Sequence, residues 1–506
     1  MLSVVLGIIF FVGAGLFASY YFFSRILELD KTSSILGAVF FSANGFMMQR
    51  IAIGHLGYIA FPVLVVILIL LVDVRIHKYI AGLLLALVLT VMLHTASYFI
   101  IILWGFSILI ILPLIYIVKP SVFSRRRIVM IVILGGCLAV LMTISKLSAV
   151  YSFMRFFPRL MSEEHSTSSL LALLGIILQL LGTMSLFPLR WMSGLDPKTM
   201  PENMAGISGT GYPGWGYWEF DMALSPVVFG IIIIGIDNLL HRRAVWSKIF
   251  VQGKRWIAWM ALITCIWLVT EIILTGGVVY PYIKQLPIFS SMHVNFRLTA
   301  AFLFPLALVA AVLYNRWAVH WEKSKALTIL VVVNGLTLLP VMTYFVPGSD
   351  YIDRSYNLID SQYIHQAILA GDTFEITHIG DTEDNTRALL NRASNLYPYN
   401  PIFGFGLQWF HPEVKPGWVW EISDGYYNMT NPTGFVFPEV NNSRPFERIR
   451  VEDKARMMDF VAHRQPDWAL PLYQQVCDWI SGVSIVLVAG ILVIYFARKL
   501  EWFRWI

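Results

Sequence analysis

Apolar residues in this chain come in long uninterrupted runs. The first, "LSVVLGIIFFVGAGLFASYYFF", opens directly after Met1 and carries no charge. The pattern returns at "FPVLVVILILLV" (61–72) and "ILVVVNGLTLLPVMTYFV" (329–346). A helix of about 20 apolar residues crosses the ~30 Å hydrocarbon layer of a bilayer with its backbone hydrogen bonds satisfied internally. Runs of this kind fall near 2–24, 33–49, 58–74, 79–95, 97–118, 128–148, 222–240, 256–275, 299–315, 326–346 and 478–497, and they predict eleven spans. A further run, 169–187, reads as a re-entrant or interfacial helix within a long external loop, 149–221, with an ordinary span as the alternative.

The pattern changes at 347–477. Polar, aromatic and turn-forming residues replace the apolar runs, with short strand-like pieces at "TFEITHI" and "GWVWEI". At about 130 residues this segment can bury a core of its own. The expected architecture is therefore an all-α polytopic membrane domain, 1–346, followed by an external α+β or β-rich domain, 347–477, and a C-terminal anchor with a short tail, 478–506.

Composition agrees: 57% of residues are hydrophobic and only 13% charged, against about a quarter charged in soluble domains. The net charge of +6 does not point to nucleic acid, because the basic residues cluster in short loops between apolar runs. Loops on alternate sides differ in charge. One side carries Arg25, Arg75, Lys78, Lys119 and "RRR" at 125–127 among nineteen basic residues; the other, outside 347–477, carries Arg50, Lys146, Arg155, Arg159, Arg190, Lys198, Lys284 and Arg297. The positive-inside rule places the first set in the cytoplasm and the second set, with the 347–477 domain, on the external face of the plasma membrane. The N-terminus then falls outside, which suggests a helix and loop missing before Met1. The first run has no basic flank and no small-residue cleavage site, so it reads as a span rather than a signal peptide. Three cysteines, Cys137, Cys265 and Cys477, have no spacing that suggests a disulfide framework or a metal site.

The external side gathers the candidate chemistry. Arg50 and His55 sit in the short loop "QRIAIGHLGYIAFP"; His94 ends another span; Lys146, Arg155 and Arg159 lie in "SKLSAVYSFMRFFPRLMSEEH", which resembles a helix leaving the membrane for its surface. Arg155 and Arg159, four residues apart, share one helical face. Glu219 and Asp221 stand at the start of the 222–240 span, and Arg297 precedes another. Ionisable groups at membrane depth are costly and tend to line polar cavities. Several cations on one face suit a phosphate, and a neighbouring carboxylate could act as a base or hold a divalent metal ion. Each residue also has a plainer reading: Arg50 anchoring at the headgroups, Arg155 and Arg159 binding membrane lipids, His94 packing, Glu219 complementing a helix dipole. Closely spaced glycines at "GISGTGYPGWG" neither follow a strand nor lead to a Lys-Ser/Thr pair, so a loop is the better reading than a phosphate cradle. "NMT" (428–430) and "NNS" (441–443) fit the glycosylation sequon.

Three stretches carry a resemblance. "SSILGAVFFSANGFMMQRIAIGHLGYIAFPVLVVILIL" resembles the helical hairpin of GT-C-fold bacterial membrane proteins of the YfhO-like group, "LPIFSSMHVNFRLTAAFLFPLALVAA" resembles their later arginine-bearing segment, and "GYWEFDMALSPVVFGIIIIGI" the approach to the next span. The resemblance covers roughly 2–346 and implies a glycosyltransferase that takes sugars from polyprenyl phosphate at the external face. It also implies a catalytic acid in a first external loop, which this chain lacks, its first span being similar to the family's second. On this reading Arg50, Lys146, Arg155, Arg159, Arg297 and His94 bind the donor, His55 assists, and Glu219 or Asp221 contacts sugar hydroxyls or a metal. The alternative is a non-catalytic subunit or carrier that binds lipid-linked glycans in surface polysaccharide assembly. A solute channel is the weakest reading, because no span is amphipathic enough to line a pore.

Overall fold

A computed structural model describes residues 2–52, 55–95, 98–156, 176–177, 179–181, 222–241, 255–274, 278–290, 295–318, 323–341, 366, 369–370, 376–379, 394–395, 413–462, 464 and 467–503. It is mostly helical, with a small sheet region near the C-terminus. The helices used below are α1 (Leu2–Tyr21), α2 (Lys31–Ser42), α3 (Gly45–Ala52), α4 (Leu64–Val72), α5 (Lys78–Thr95), α6 (Tyr98–Val118) and α7 (Arg125–Phe156). They continue with α8 (Pro226–His241), α9 (Arg255–Leu274), α10 (Leu303–Ala318), α11 (Lys323–Val341), α12 (Lys454–Val461) and α13 (Leu472–Phe503).

Among the described residues, six helices are long and apolar enough to cross a membrane: Val5–Ile26, Phe99–Val118, Arg125–Phe156, Trp256–Leu274, Asn295–Trp317 and Leu472–Lys499. Four further apolar helices, Phe61–Val72, Lys78–His94, Pro226–Asn238 and Thr328–Leu339, are shorter. Six of the expected eleven spans are thus borne out by length, and the count of eleven is not confirmed. The 33–49 run is broken: α2 stops at Ala43, where the backbone leaves helical geometry, and α3 begins at Gly45. The 58–74 run is α-helical only from Leu64, after 3-10 turns at Leu56–Tyr58 and Phe61–Val63. The 299–315 run starts as a 3-10 segment, Asn295–Phe302. The 128–148 run and the helix expected after it form one unbroken helix, α7, which runs 32 residues through Phe156.

Polar contacts gather at two ends of the bundle. At one end Tyr21 donates to Asp73 (2.8 Å), Arg75 donates to Asp73 (2.8 Å), Arg127 donates to the Asp73 carbonyl (2.8 Å), and Lys119 pairs with Glu28 (2.7 Å). Asp30 caps α2 by accepting the Ser33 N–H, while its own N–H donates to Asn315 of α10 (2.8 Å). Burial pulls the Asp73 carboxyl upward, but hydrogen bonds from the Arg75 side chain and backbone and from Tyr21 outweigh it and hold the group below its ordinary value.

The helices meet where side chains are small. A Cβ on Gly82 of α5 would lie 2.7 Å from Leu134, and one on Gly135 of α7 would lie 2.8 Å from Leu85. Each leucine fills the space the opposite glycine leaves, which lets two backbones approach closely. α13 also packs on α7, sharing an apolar cluster with it and α5. The Ser145 N–H donates to Ser481 Oγ (3.0 Å), which in turn donates to the Leu141 carbonyl (3.3 Å), so a hydroxyl from α13 is inserted into the α7 backbone ladder. Asp478 accepts from Ser145 Oγ (2.5 Å) and from Gln474 (2.7 Å) beside it.

Among the described residues, the C-terminal region contains two three-stranded sheets, ordered β2-β1-β3 (Ser394–Asn395, Thr377–Ile379, Gly417–Trp418) and β4-β5-β6 (Ile422–Ser423, Tyr426–Thr430, Arg448–Arg450). Asp424 and Gly425, both at positive φ, form the two-residue turn between β4 and β5. Val419, Tyr427, Met429, Ile449, Met457 and Val461 form the core, so this part is α+β. Neither sequon is open. Asn428 is buried and its side chain bridges the Lys415 backbone N–H and carbonyl (2.9 Å each). Asn441 is clamped to both backbone groups of Ala469.

Gly135→Leu should destabilise the protein by about 1–3 kcal/mol through overpacking against Leu85, whereas Gly136→Leu, whose Cβ meets nothing within 4 Å, should be close to neutral; thermal unfolding in detergent distinguishes them. Because the Asp73 carboxyl is held low, its contribution is fully present above about pH 5 and is lost as pH falls through the ordinary aspartate value of about 3.9 toward the lower folded one. An Asp73→Asn variant should lose less stability than the parent over that acid range.

Candidate functional site

A column of aromatic rings leads through the core to the site. Phe23 stacks on Phe304, Phe304 meets Phe41 edge-on (4.9 Å), Phe41 meets Phe61, and Phe61 meets Phe46 (5.2 Å). Phe46 then meets Tyr58 (5.7 Å), which faces Phe99 (6.1 Å). The break between α2 and α3 makes this possible. Asn44 accepts the Met47 N–H and starts a new helix, while the Gly45 N–H donates to the Ala223 carbonyl (2.7 Å). The short α3 can then aim Phe46 and Arg50 inward.

Arg50 is 0% exposed. Its Nη1 donates to His55 Nδ1 (2.8 Å), and its guanidinium lies 4.9 Å from the Tyr58 ring centre and 5.5 Å from that of Phe46. A guanidinium only donates, so Nδ1 is the acceptor and a neutral His55 ring carries its hydrogen on Nε2. Arg297, on the 3-10 segment before α10, donates to the Tyr58 hydroxyl (3.0 Å) and lies 5.8 Å from the same ring. Two cations 247 positions apart in sequence thus converge on one tyrosine.

The other expected residues go elsewhere. Lys146 Nζ donates to the Leu93 and His94 carbonyls (2.6 and 3.1 Å), so it caps the end of α5. His94 is exposed and contributes its carbonyl to that cap. Arg155 is exposed and pairs with Glu439 of the C-terminal region (3.6 Å) and with the Phe156 ring. No described contact brings these three to Tyr58. Arg159, Glu219 and Asp221 lie outside the described residues. Of the ambiguous 169–187 run, Gln179 and Leu180 are buried; their carbonyls accept the Met222 and Leu224 N–H groups, and the Gln179 side chain accepts from Thr299 (3.0 Å).

Two polar residues escaped the sequence reading. Tyr58 looks like an ordinary interface aromatic, yet the spacing in "RIAIGHLGY" puts it within reach of both Arg50 and His55. Glu271, alone in "LVTEIIL", is a buried carboxylate near the end of α9, the signal being one acid within an apolar run. Among the described residues no group of three His, Cys, Asp or Glu side chains could hold a metal ion. The three cysteines are free.

No family model matches the chain, and no curated protein or solved structure shows significant similarity to it.

Tyr58→Phe keeps the ring between the two guanidiniums and removes only the acceptor for Arg297, so it should cost about 1–2 kcal/mol. Tyr58→Leu also removes the cation–π contacts and should cost about 2 kcal/mol more. Equal unfolding midpoints for the two variants would rule out the ring's role.

Proposed function

We propose that this chain is an integral membrane protein of GT-C type. It transfers a sugar from a polyprenyl-phosphate-linked donor to a cell-surface glycan or lipid-linked acceptor. The observation that carries the reading is the convergence of Arg50 and Arg297 on Tyr58 at the head of an apolar core. Two guanidiniums close together in a low-dielectric setting match the charge and geometry of a phosphate group. A donor carried on a long isoprenoid chain reaches such a site from within the bilayer, which fits a cation pair set among apolar helices.

In this reading His55, held by Arg50, supports the phosphate site, and Glu219 or Asp221 activates the acceptor hydroxyl. Lys146 and Arg155 have other work and leave the donor-binding set. The eleven crossings become the six long helices, the four shorter ones and the broken α2–α3 pair acting as one. The plasma membrane is the proposed location. The C-terminal region is external, supported by the charge asymmetry of the loops and by the Arg155–Glu439 pair, which ties it to the end of α7 away from Arg125–Arg127.

The test is a lipid-linked sugar profile of cells with the gene, without it, and with Arg297→Ala or Arg50→Ala at equal membrane abundance. Loss of the gene should leave the polyprenyl-phosphate sugar unconsumed. Each arginine variant should reproduce that accumulation, with transfer reduced at least tenfold. A donor pool and glycan unchanged in all four strains would sink the assignment.

A further inference from the structure

Apart from the arginine pair, α9 ends on a second polar arrangement. Glu271 is 6% exposed, and Asn295, which opens the 3-10 segment packed on α9, is 1% exposed. Glu271 Oε1 accepts the Val279 N–H, while Oε2 has no hydrogen-bond partner among the described residues. Asn295 commits its amide nitrogen to the Ile272 carbonyl (3.2 Å), which leaves its Oδ1 as an acceptor, also without a partner among the described residues. The junction of α9 and the 3-10 segment therefore holds two buried oxygens that require a partner. They sit at a helix C-terminus, where the last carbonyls and the dipole add negative potential.

Buried acceptors left bare are costly, and a buried carboxylate more so. A protein gains nothing from keeping them unless something positive satisfies them. The ligand set decides what that is. One carboxylate, one amide oxygen and helix-end carbonyls are hard, oxygen-only donors carrying a single negative charge. A divalent ion calls for more carboxylates or several retained waters, and a transition metal for imidazole or thiolate. A helix C-terminus beside irregular backbone at membrane depth is a setting in which alkali ions are coordinated.

We infer that Glu271 Oε2 and Asn295 Oδ1, at the end of α9, form a binding site for a monovalent metal cation, sodium or potassium. The site also bears on the arginine pair: Asn295 and Arg297 share the 3-10 segment, so an ion held there fixes the segment that carries one of the two guanidiniums.

The experiment uses the full chain in nanodiscs, with sodium or potassium chloride titrated against choline chloride at constant ionic strength. The unfolding temperature should climb by several degrees with the logarithm of the concentration of one alkali ion and stay level in choline. Glu271→Gln should abolish the response, and Asn295→Asp, by adding a second charge, should shift its midpoint about tenfold lower in concentration. A parent protein that responds equally to choline and to both alkali ions overturns the proposal, whether or not the variants fold. So does a sodium or potassium response that survives in Glu271→Gln. A parent stabilised only by acidification assigns a proton to Glu271 in place of the ion and also overturns it.

Discussion

Burying the guanidinium of Arg50 sets the terms for everything around it. An arginine at the centre of a membrane helix costs about 2.5–3.5 kcal/mol on insertion scales. The protein offsets this with two aromatic faces, worth about 2 kcal/mol or more when desolvated, and a charge-assisted bond to His55 of about 1.5–3 kcal/mol. The sums are comparable, so these partners offset the burial of the charge. Phe46 must precede Arg50 by one helical turn, Tyr58 must follow in the same loop, and the preceding helix must break to give α3 its own direction. A local electrostatic demand thus explains a break in what would otherwise be one continuous helix.

The sequence made the helices legible where chain and lipid want the same thing. The long apolar runs of α6 and α9 were found to within a residue at each end, although Pro113 lies inside the first and Glu271 inside the second, while α7 and α13 extend beyond theirs. The misses have a common cause. At 33–49 the apolar run continues across Ala43 and Asn44, and hydropathy cannot register that an asparagine side chain is ready to start a second helix. At 58–74 and 299–315 the first turns are 3-10, because backbone near Tyr58 and Arg297 is shaped by the site rather than by periodicity. The continuation of α7 past residue 148 was hidden because its last turns contain basic and aromatic residues, which sequence alone assigns to a surface.

The candidate site was legible in part. Charge counting put Arg50, His55 and Arg297 on one side, and those three do meet. It could not tell them from Lys146, whose ammonium answers the carbonyls at the end of α5, or from Arg155, whose partner lies in the C-terminal region. Side of the membrane is a one-dimensional property, while convergence on a single ring depends on helix packing between residues far apart in the chain. Tyr58 and Glu271 were missed for the opposite reason: each is chemically decisive but single, and neither adds to a cluster that a sequence would display.

The hydroxyl of Ser481, set into the backbone of α7, has a consequence for the folded region that precedes it. The 347–477 segment leaves the bundle from α11, which packs against α2 and α8, and returns to it at α13, which that hydroxyl locks in place. Both of its ends are pinned whether the segment is folded or not. Pinning removes much of the loop entropy that an unfolded chain of this length would otherwise gain, as a covalent cross-link does. In a protein whose cysteines are all free, two helices perform the service of a disulfide, and they do so in either redox environment.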